Sequence, residues 1–66
     1  MRLTINGEPR ELESTPDLAA LIATLELDPR KVAVERNLEI VPRSLYGATS
    51  LAEGDRIEIV HFIGGG

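Results

Sequence analysis

Residues 56–63 read RIEIVHFI and form the most regular extended segment of the chain. Apolar and charged residues alternate along this segment, so Ile57 and Ile59 fall on one side of an extended chain. The residues on the other side are Arg56, Glu58, Val60 and Phe62. The alternation predicts a β-strand that turns Ile57 and Ile59 toward the core.

A β-hairpin is predicted at the N-terminus. Met1–Ile5 is apolar at alternate positions, and Asn6–Gly7 follows it directly. Asn-Gly is the strongest short signal of a tight hairpin turn, because both central residues of that turn need positive φ. Glu8–Glu13 is predicted to return as the second strand. Pro9 has no N–H to donate, which favours a place for this strand at the edge of the sheet.

An amphipathic helix is predicted over Pro16–Glu26. Thr15 is expected to cap it, Pro16 suits the first helical position, and Asp17 favours the positive end of the helix dipole. The apolar stripe of this helix consists of Leu18, Leu21, Ile22 and Leu25. Asp28–Pro29 is expected to end the helix, because proline disfavours helical conformation in the residue before it.

The second half of the chain is predicted to hold shorter elements. Val32–Val34 and Glu39–Val41 have the composition of short strands, and Asn37 between them marks a turn. Arg43–Leu51 follows neither the strand period nor the helix period, so we predict a crossing loop with one helical turn. A last turn at Glu53–Asp55 leads into the strand at 56–63.

The elements therefore follow the order β-β-α-β-β-β. A single amphipathic helix must bury its stripe on one face of the sheet, which gives a two-layer α+β fold. The first and last strands are expected to pair in parallel at the centre, because a crossover lies between them. This is the β-grasp, or ubiquitin-like, arrangement, with a mixed sheet of four to five strands packed on one helix. We expect one domain over residues 1–63 and a flexible glycine tail over 64–66.

The composition argues against several classes of function. The chain has 66 residues, no cysteine, and 7 Lys and Arg against 11 Asp and Glu, which gives a net charge of −4. The acidic balance argues against nucleic acid and membrane as partners, because both attract clustered Lys and Arg. Without cysteine there is neither a disulfide framework nor a thiolate zinc site. We expect a small cytoplasmic protein that is a monomer on its own.

No conventional catalytic constellation is found in the sequence. His61 is the single histidine, and it lacks a cysteine or a second histidine with which to bind a metal. A chain of this length also buries too little surface to enclose a wide catalytic cleft. We therefore predict that the protein is not an enzyme, has no metal site and holds no cofactor of its own.

The glycine-rich feature lies at the C-terminus, where Gly64, Gly65 and Gly66 follow the last strand. Three residues reach about 10 Å. Glycine has no Cβ, so such a tail fits a narrow channel and leaves its terminal carbonyl carbon unhindered. The alternative is a frayed tail without function, because chain termini are often disordered. The order of the elements favours the functional interpretation.

Four segments of the sequence match the pattern of a known family. They are Asn6–Gly7, Val32–Glu35 with Asn37, Ile40–Ser44, and Gly54–Val60 ahead of the glycines. On these segments the chain resembles the ThiS family, the ubiquitin-like sulfur carriers of thiamin biosynthesis, over essentially its whole length. The terminal glycines are shared with molybdopterin-pathway carriers and ubiquitin. The Val-Pro-Arg-Ser segment and the Gly-Asp-Arg strand are what indicate the thiamin branch.

The resemblance implies that the protein is a co-substrate of other enzymes. A ThiF-type adenylating enzyme would activate the terminal carboxylate of Gly66 with ATP and Mg²⁺, and sulfur from a persulfide enzyme would displace AMP. The resulting thiocarboxylate would donate its sulfur to thiazole synthase. Gly64 and Gly65 are expected to thread into these partners. The alternatives are the small sulfur-carrier subunit of molybdopterin synthase, a ubiquitin-like protein modifier, and a plain interaction module whose tail has no role.

A partner-binding surface is predicted beside the tail. Val60 and Phe62 lie opposite the core side of the last strand, and exposed apolar patches of this kind commonly mark partner sites. Arg43 follows a proline in the crossing loop and is expected to pair with an acidic group of the partner. The alternatives are that Leu45 or Tyr46 packs over the two apolar residues, and that Arg43 is simply solvated.

Overall fold

The computed structural model describes residues 1–13 and 17–62 as one helix packed on a five-stranded mixed sheet. The strands are β1 (Arg2–Ile5), β2 (Glu8–Glu11), β3 (Val32–Arg36), β4 (Glu39–Val41) and β5 (Arg56–His61), and the helix is α1 (Leu18–Thr24). Their order in the sheet is β2-β1-β5-β3-β4. The β1–β5 pair is parallel and the other pairs are antiparallel. The predicted α+β architecture, one helix on a mixed sheet, is confirmed.

Two tight turns connect the antiparallel strands. Asn6 and Gly7 have φ angles of 51° and 81° between β1 and β2, and Asn37 and Leu38 have 51° and 72° between β3 and β4. Positive φ at both central positions is the hairpin turn whose twist matches that of the strands. Asparagine tolerates this conformation better than other residues with a Cβ, whereas leucine rarely adopts it. The predicted turns at Asn6–Gly7 and Asn37 are confirmed.

The last residues of three strands differ from the prediction, and one of these is β5, which ends at His61 instead of Ile63. β2 ends at Glu11 instead of Glu13, after Pro9 has paired with Thr4 of β1. β3 continues to Arg36, because its last residues pair with β4 on one side and β5 on the other. β2 lies at the edge of the sheet, as the proline predicted.

The start of the helix corrects the prediction of a Thr15 cap. The helix begins at Leu18, and Asp17 is its N-cap, because an Asp17 carboxylate oxygen accepts a hydrogen bond of 2.8 Å from the Ala20 amide. Asp17 is extended and bridges to Ser50, and the Leu18 amide donates to the Thr49 carbonyl at 2.9 Å. These distant contacts place the last extended residue at 17. Residues 14–16, which include the expected cap, lie outside the described residues.

The end of the helix corrects the prediction that Pro29 ends it. The helix ends at Thr24, and Glu26 adopts a φ of 60°. The Glu26 amide donates to Ala23 at 3.0 Å and the Leu27 amide donates to Ile22 at 3.1 Å. This pair of bonds is the Schellman motif, in which the left-handed residue is usually glycine. The chain has therefore left the helix before the proline is reached.

Two 3₁₀ segments complete the described chain. Pro29–Lys31 forms a short turn capped by Asp28, whose carboxylate accepts from the Arg30 amide at 2.9 Å. Arg43–Ala48 forms a longer 3₁₀ segment where a loop with one helical turn was predicted. It packs against α1 and carries Tyr46 into the core.

The core lies between the helix and one face of the sheet. It consists of Leu3, Ile5, Leu18, Leu21, Ile22, Val32, Val34, Tyr46, Leu51 and Ile57. The predicted stripe and the predicted core side of β5 both contribute to it, and Leu25 and Ile59 pack at its margin. Each fully buried aliphatic side chain contributes about 1.5–3 kcal/mol, so the domain depends on aliphatic packing.

Among residues 1–13 and 17–62, the buried charged side chain is that of Asp55, with 6% of its surface exposed. One carboxylate oxygen accepts from the Arg36 guanidinium and the Ala52 amide at 2.9 Å, and the other accepts from the Asn37 side chain at 3.0 Å. Burial alone raises the pKa of Asp55, but these hydrogen bonds and the Arg36 charge outweigh it and leave the pKa below its ordinary value of 3.8. Asp55 thereby joins the turn before β5 to the turn after β3.

Replacing Asp55 by asparagine is expected to lower the free energy of unfolding by about 2–3 kcal/mol at pH 7, because it leaves Arg36 unpaired. The folded-state pKa of Asp55 is depressed, so its contribution is complete above pH 4 to 5 and is lost as the pH falls through 3.8 and below. Urea denaturation followed by circular dichroism at several pH values measures both effects.

The matched control is Asp28→Asn. Asp28 has a pKa of about 2, which its hydrogen bonds with Arg30 lower, but this ion pair lies at the surface, where the Arg30 side chain is 75% exposed. Exposed pairs contribute little to stability, so this variant should unfold like the wild type at pH 7. Equal losses of stability in the two variants would contradict the central role of Asp55.

Glu26→Gly is expected to raise the free energy of unfolding by about 0.5–1 kcal/mol, because glycine adopts the left-handed conformation without a Cβ clash. The control Glu26→Ala removes the same carboxylate but keeps the Cβ. If alanine stabilises the protein as much as glycine does, the cause is the charge at the helix C-terminus and not the backbone. Chemical denaturation of the three proteins separates these causes.

Candidate functional site

The predicted reactive group lies just beyond the described chain. Gly64, Gly65 and Gly66 lie outside the described residues, and Phe62 is the last residue before that stretch. The Phe62 amide donates a hydrogen bond of 3.0 Å to the Lys31 carbonyl. The pairing of β5 with the β3 side therefore continues for one residue past the end of the strand at His61.

Asn6 holds β5 from the β1 side. The Asn6 amide donates to the Ile57 carbonyl at 2.8 Å. Its side chain then accepts from the Ile59 amide at 2.7 Å and donates to the Ile59 carbonyl at 3.2 Å. The carboxamide thus makes the two bonds that a further strand residue would make. It extends the support of β5 beyond the point where β1 turns away.

Asn37 holds β5 from the β3 side. Its amide donates to the Arg56 carbonyl at 2.8 Å, and its side-chain oxygen accepts from the Arg56 amide at 2.9 Å. Its side-chain nitrogen donates to Asp55. Asn6 and Asn37 share a φ of 51°, the conformation of a turn residue that directs its side chain at a neighbouring strand. Together the two asparagines hold β5 at its first residue, Arg56, and in its second half, at Ile59.

The outer face of the sheet, opposite α1, is apolar near the end of β5. Val60 is 62% exposed and lies opposite Ala33 of β3, while Phe62 is 38% exposed. Ile40 of β4 is 77% exposed and lies on the same face. Tyr46 does not cover Val60, because its ring is buried in the core. We refer to Ala33, Ile40, Val60 and Phe62 as the outer patch.

Arg43 and Phe62 line one groove of about 300 Å³. The other residues that line it are Pro29, Arg30, Val32, Ala33, Val34, Ile40, Val41 and Tyr46. Burial raises the pKa of the Tyr46 hydroxyl, although the Arg43 charge acts in the opposite direction. The hydroxyl is therefore protonated at neutral pH and donates to the Val32 carbonyl at 3.4 Å. Of the three predicted surface residues, the groove brings together Arg43 and Phe62, and Val60 lies outside it.

The described residues offer no conventional catalytic or metal chemistry. Over residues 1–13 and 17–62, no three His, Asp or Glu side chains lie close enough to hold a metal ion. His61 is exposed on the last strand. In the same two ranges, no helix has the length and apolar character needed to cross a bilayer. What the geometry provides is a strand paired along both edges, with an apolar patch beside its end.

The roles of Asn6 and Asn37 beyond their turns were missed by the sequence analysis. The Asn-Gly pair signals a turn but says nothing about the partner of the side chain. A signal was nevertheless available, because asparagine at the first turn position directs a donor and an acceptor toward the neighbouring strand. The exposure of Ile40 was also missed, because its short strand shows no clear alternation.

The first comparisons concern sequence. A sequence model of the ThiS family matches residues 3–66. The chain is 54% identical over 66 residues to a thiazole synthase of Paramagnetospirillum magneticum, of which it spans 20%. It is 40% identical over 65 residues to the sulfur carrier protein ThiS of Bacillus subtilis, of which it spans 98% while 97% of this chain is covered. The chain thus corresponds to a fifth of one relative and to nearly all of the other.

A comparison of structures agrees with these matches. The crystal structure of the thiamine biosynthesis protein ThiS from Geobacter metallireducens superposes with a TM-score of 0.86 and 33% identity, and all of both chains is covered. The predicted β-grasp fold and the predicted family resemblance are thereby confirmed. The family match, the Bacillus subtilis relative and this structure all support a sulfur-carrier domain of the ThiS type.

Asn6→Gly is expected to speed amide exchange at Ile59 and to cost about 1–2 kcal/mol of stability, because two hydrogen bonds are lost while glycine keeps the turn. The matched control is Asn37→Gly, which should release Arg56 at the start of β5. Hydrogen exchange followed by NMR measures both. If Ile59 stays protected in Asn6→Gly, the side-chain bonds do not support β5.

Proposed function

The chain belongs to the ThiS family, and from that premise we propose that it carries sulfur for thiamin biosynthesis as a protein co-substrate. The observation that supports this most strongly is the family match, which continues through the three glycines to residue 66. The similarity to the Bacillus subtilis carrier over nearly its whole length supports it as well. In this proposal the C-terminal carboxylate of Gly66 is the group that carries sulfur.

The chemistry proposed for Gly66 resides in enzymes that act on the chain. A carboxylate is a poor electrophile, so an adenylating enzyme of the ThiF type first joins it to AMP with ATP and Mg²⁺, releasing pyrophosphate. A persulfide sulfur then attacks the acyl carbon and AMP leaves. A thiol cleaves the sulfur–sulfur bond of that acyl disulfide, becomes part of a new disulfide, and leaves the thiocarboxylate on Gly66.

In this proposal the role of the chain itself is to position its glycine tail. β5 is held by Asn6 and Asn37 on its two sides, so Phe62 is a fixed starting point for the glycines. Gly64 and Gly65 thread into the partner, and the absence of a Cβ lets the channel be narrow. The outer patch and Arg43 form the contact beside the channel. A catalytic cleft is unnecessary, because nucleotide, metal and persulfide are all bound by partners.

Thiazole synthase is the proposed acceptor of the sulfur. Two relatives, from Paramagnetospirillum magneticum and Magnetococcus marinus, are named thiazole synthase, and this chain matches 20% of each. A carrier domain within such a protein supports a functional link between the two. The predicted cytoplasmic location, the monomeric state and the identity of the sulfur donor stay predictions.

Thiocarboxylation is tested by intact-protein mass spectrometry. The 66-residue chain is incubated with the adenylating enzyme of the same organism, ATP, Mg²⁺ and a persulfide source, and should gain the mass difference between sulfur and oxygen. A chain that lacks Gly66 should gain nothing while it keeps the circular dichroism spectrum of the folded domain. Persistent thiolation of the shortened chain would contradict the proposal.

The matched control is Gly47→Ala. Gly47 is exposed, and a Cβ there meets no atom within 4 Å, so this variant should fold and be thiolated like the wild type. Adding thiazole synthase to the thiolated protein should return the mass to its starting value as sulfur is transferred. Covalent adducts with lysines of other proteins, in place of this transfer, would instead indicate a protein modifier.

A further inference from the structure

Two glutamates face each other beside the outer patch. Glu35 of β3 and Glu58 of β5 are directly opposite in the antiparallel register, and Ile40 of β4 is the next residue across. The neighbouring row on the same face is Ala33 opposite Val60. Two carboxylates therefore border the outer patch on the exposed side of the sheet.

This arrangement is unfavourable in the chain alone. Like charges directly opposite on neighbouring strands are destabilising. None of the ion pairs among residues 1–13 and 17–62 includes Glu35 or Glu58. Arg56 lies on the same face two residues before Glu58, yet it makes no ion pair with either glutamate. The stability of the domain gives no reason to place two carboxylates here.

The apolar residues beside the two glutamates indicate which kind of partner fits this surface. Covering Ile40 and Val60 removes water from the space beside the glutamates, and charge interactions strengthen where water is excluded. An uncompensated carboxylate pair in such a place is costly. A guanidinium has five donors in a planar fork and can bridge two carboxylates at once. The surface therefore fits an apolar protein surface that carries an arginine.

We propose that the outer patch docks on thiazole synthase, with an arginine of that enzyme bridging Glu35 and Glu58. The proposal rests on the proposed function and adds the chemistry of the contact. The relatives in which a matching region belongs to a thiazole synthase favour that enzyme as the occupant. A second copy of this chain is disfavoured, because a two-fold contact would bring four carboxylates together. The net charge of −4 also favours a basic partner surface.

The experiment measures the affinity of the 66-residue chain for the thiazole synthase of the same organism at several salt concentrations. Glu35→Gln and Glu58→Gln should each weaken binding roughly tenfold and should reduce its dependence on salt. Both variants should melt at the same temperature as the wild type or higher, because cross-strand repulsion is removed. Opposite effects on binding and stability distinguish a binding role from a structural one.

Two further variants serve as controls. Glu8→Gln removes an exposed carboxylate from β2, at the far edge of the sheet, and should leave affinity and salt dependence unchanged. Val60→Ala should weaken binding without changing its salt dependence, because it removes only apolar contact. The glutamate effects are thereby separated from a general effect of net charge.

The outcomes separate this inference from the proposed function. If the wild type binds and both glutamine variants bind as tightly, the arginine bridge is wrong while the sulfur-carrier function stands. If the wild type is thiolated normally but fails to bind thiazole synthase, the proposed occupant is wrong. If the chain is neither thiolated nor bound, both proposals are wrong. Self-association that depends on the two glutamates, seen by sedimentation, would assign the face to a second copy and overturn the inference.

Discussion

Main-chain pairing along both edges of β5 is the interaction on which the rest of this domain depends. β1 pairs with one edge and β3 with the other, so the two hairpins belong to one sheet only through β5. Ile57 on its inner side is fully buried against the core. Asn6 and Asn37 strengthen this pairing, since each turns a hairpin and also bonds its side chain to the main chain of β5. A change that weakens either turn therefore also loosens the central strand.

The same constraint explains how a chain without cysteine can take part in sulfur chemistry. The proposed reactive group is the end of the main chain, so no side chain has to be a nucleophile or a metal ligand. What the domain must supply is a fixed direction and a recognisable surface. The paired strand supplies the direction up to Phe62, and Val60 of the outer patch lies on that strand, while Ala33 lies on β3 and Ile40 on β4. Direction and recognition thus meet at the end of β5.

The sequence predicted the features that depend on neighbouring residues and missed those that depend on distant contacts. The alternation at Ile57 and Ile59 and the Asn6–Gly7 turn were correct, because each follows from neighbouring residues. The helix cap was wrong because Asp17 is held by residues 49–50, more than 30 positions away, as the bridge to Ser50 shows. The left-handed Glu26 was missed because glutamate carries no signal for that conformation.

The candidate site was likewise predicted where it depends on neighbouring residues and missed where it depends on distant contacts. Val60 and Phe62 could be placed on the outer side of the last strand from their spacing alone. Their neighbours could not, because the register between β3, β4 and β5 decides which residues border them. Glu35 and Glu58 are 23 positions apart in the sequence, and only the antiparallel register sets them face to face.

The inner face of the sheet stabilises the domain, whereas the outer face and the turn beside β4 hold side chains that are unfavourable in the isolated chain. The inner face meets the helix and is packed with aliphatic residues. The outer face carries the opposed Glu35 and Glu58, and the turn beside β4 holds Leu38 at a φ of 72° with 74% of its surface exposed. A leucine gains nothing in solvent and costs free energy in that conformation. In the complex proposed with thiazole synthase this face is covered, and the free energy of that complex would account for features that destabilise the isolated chain.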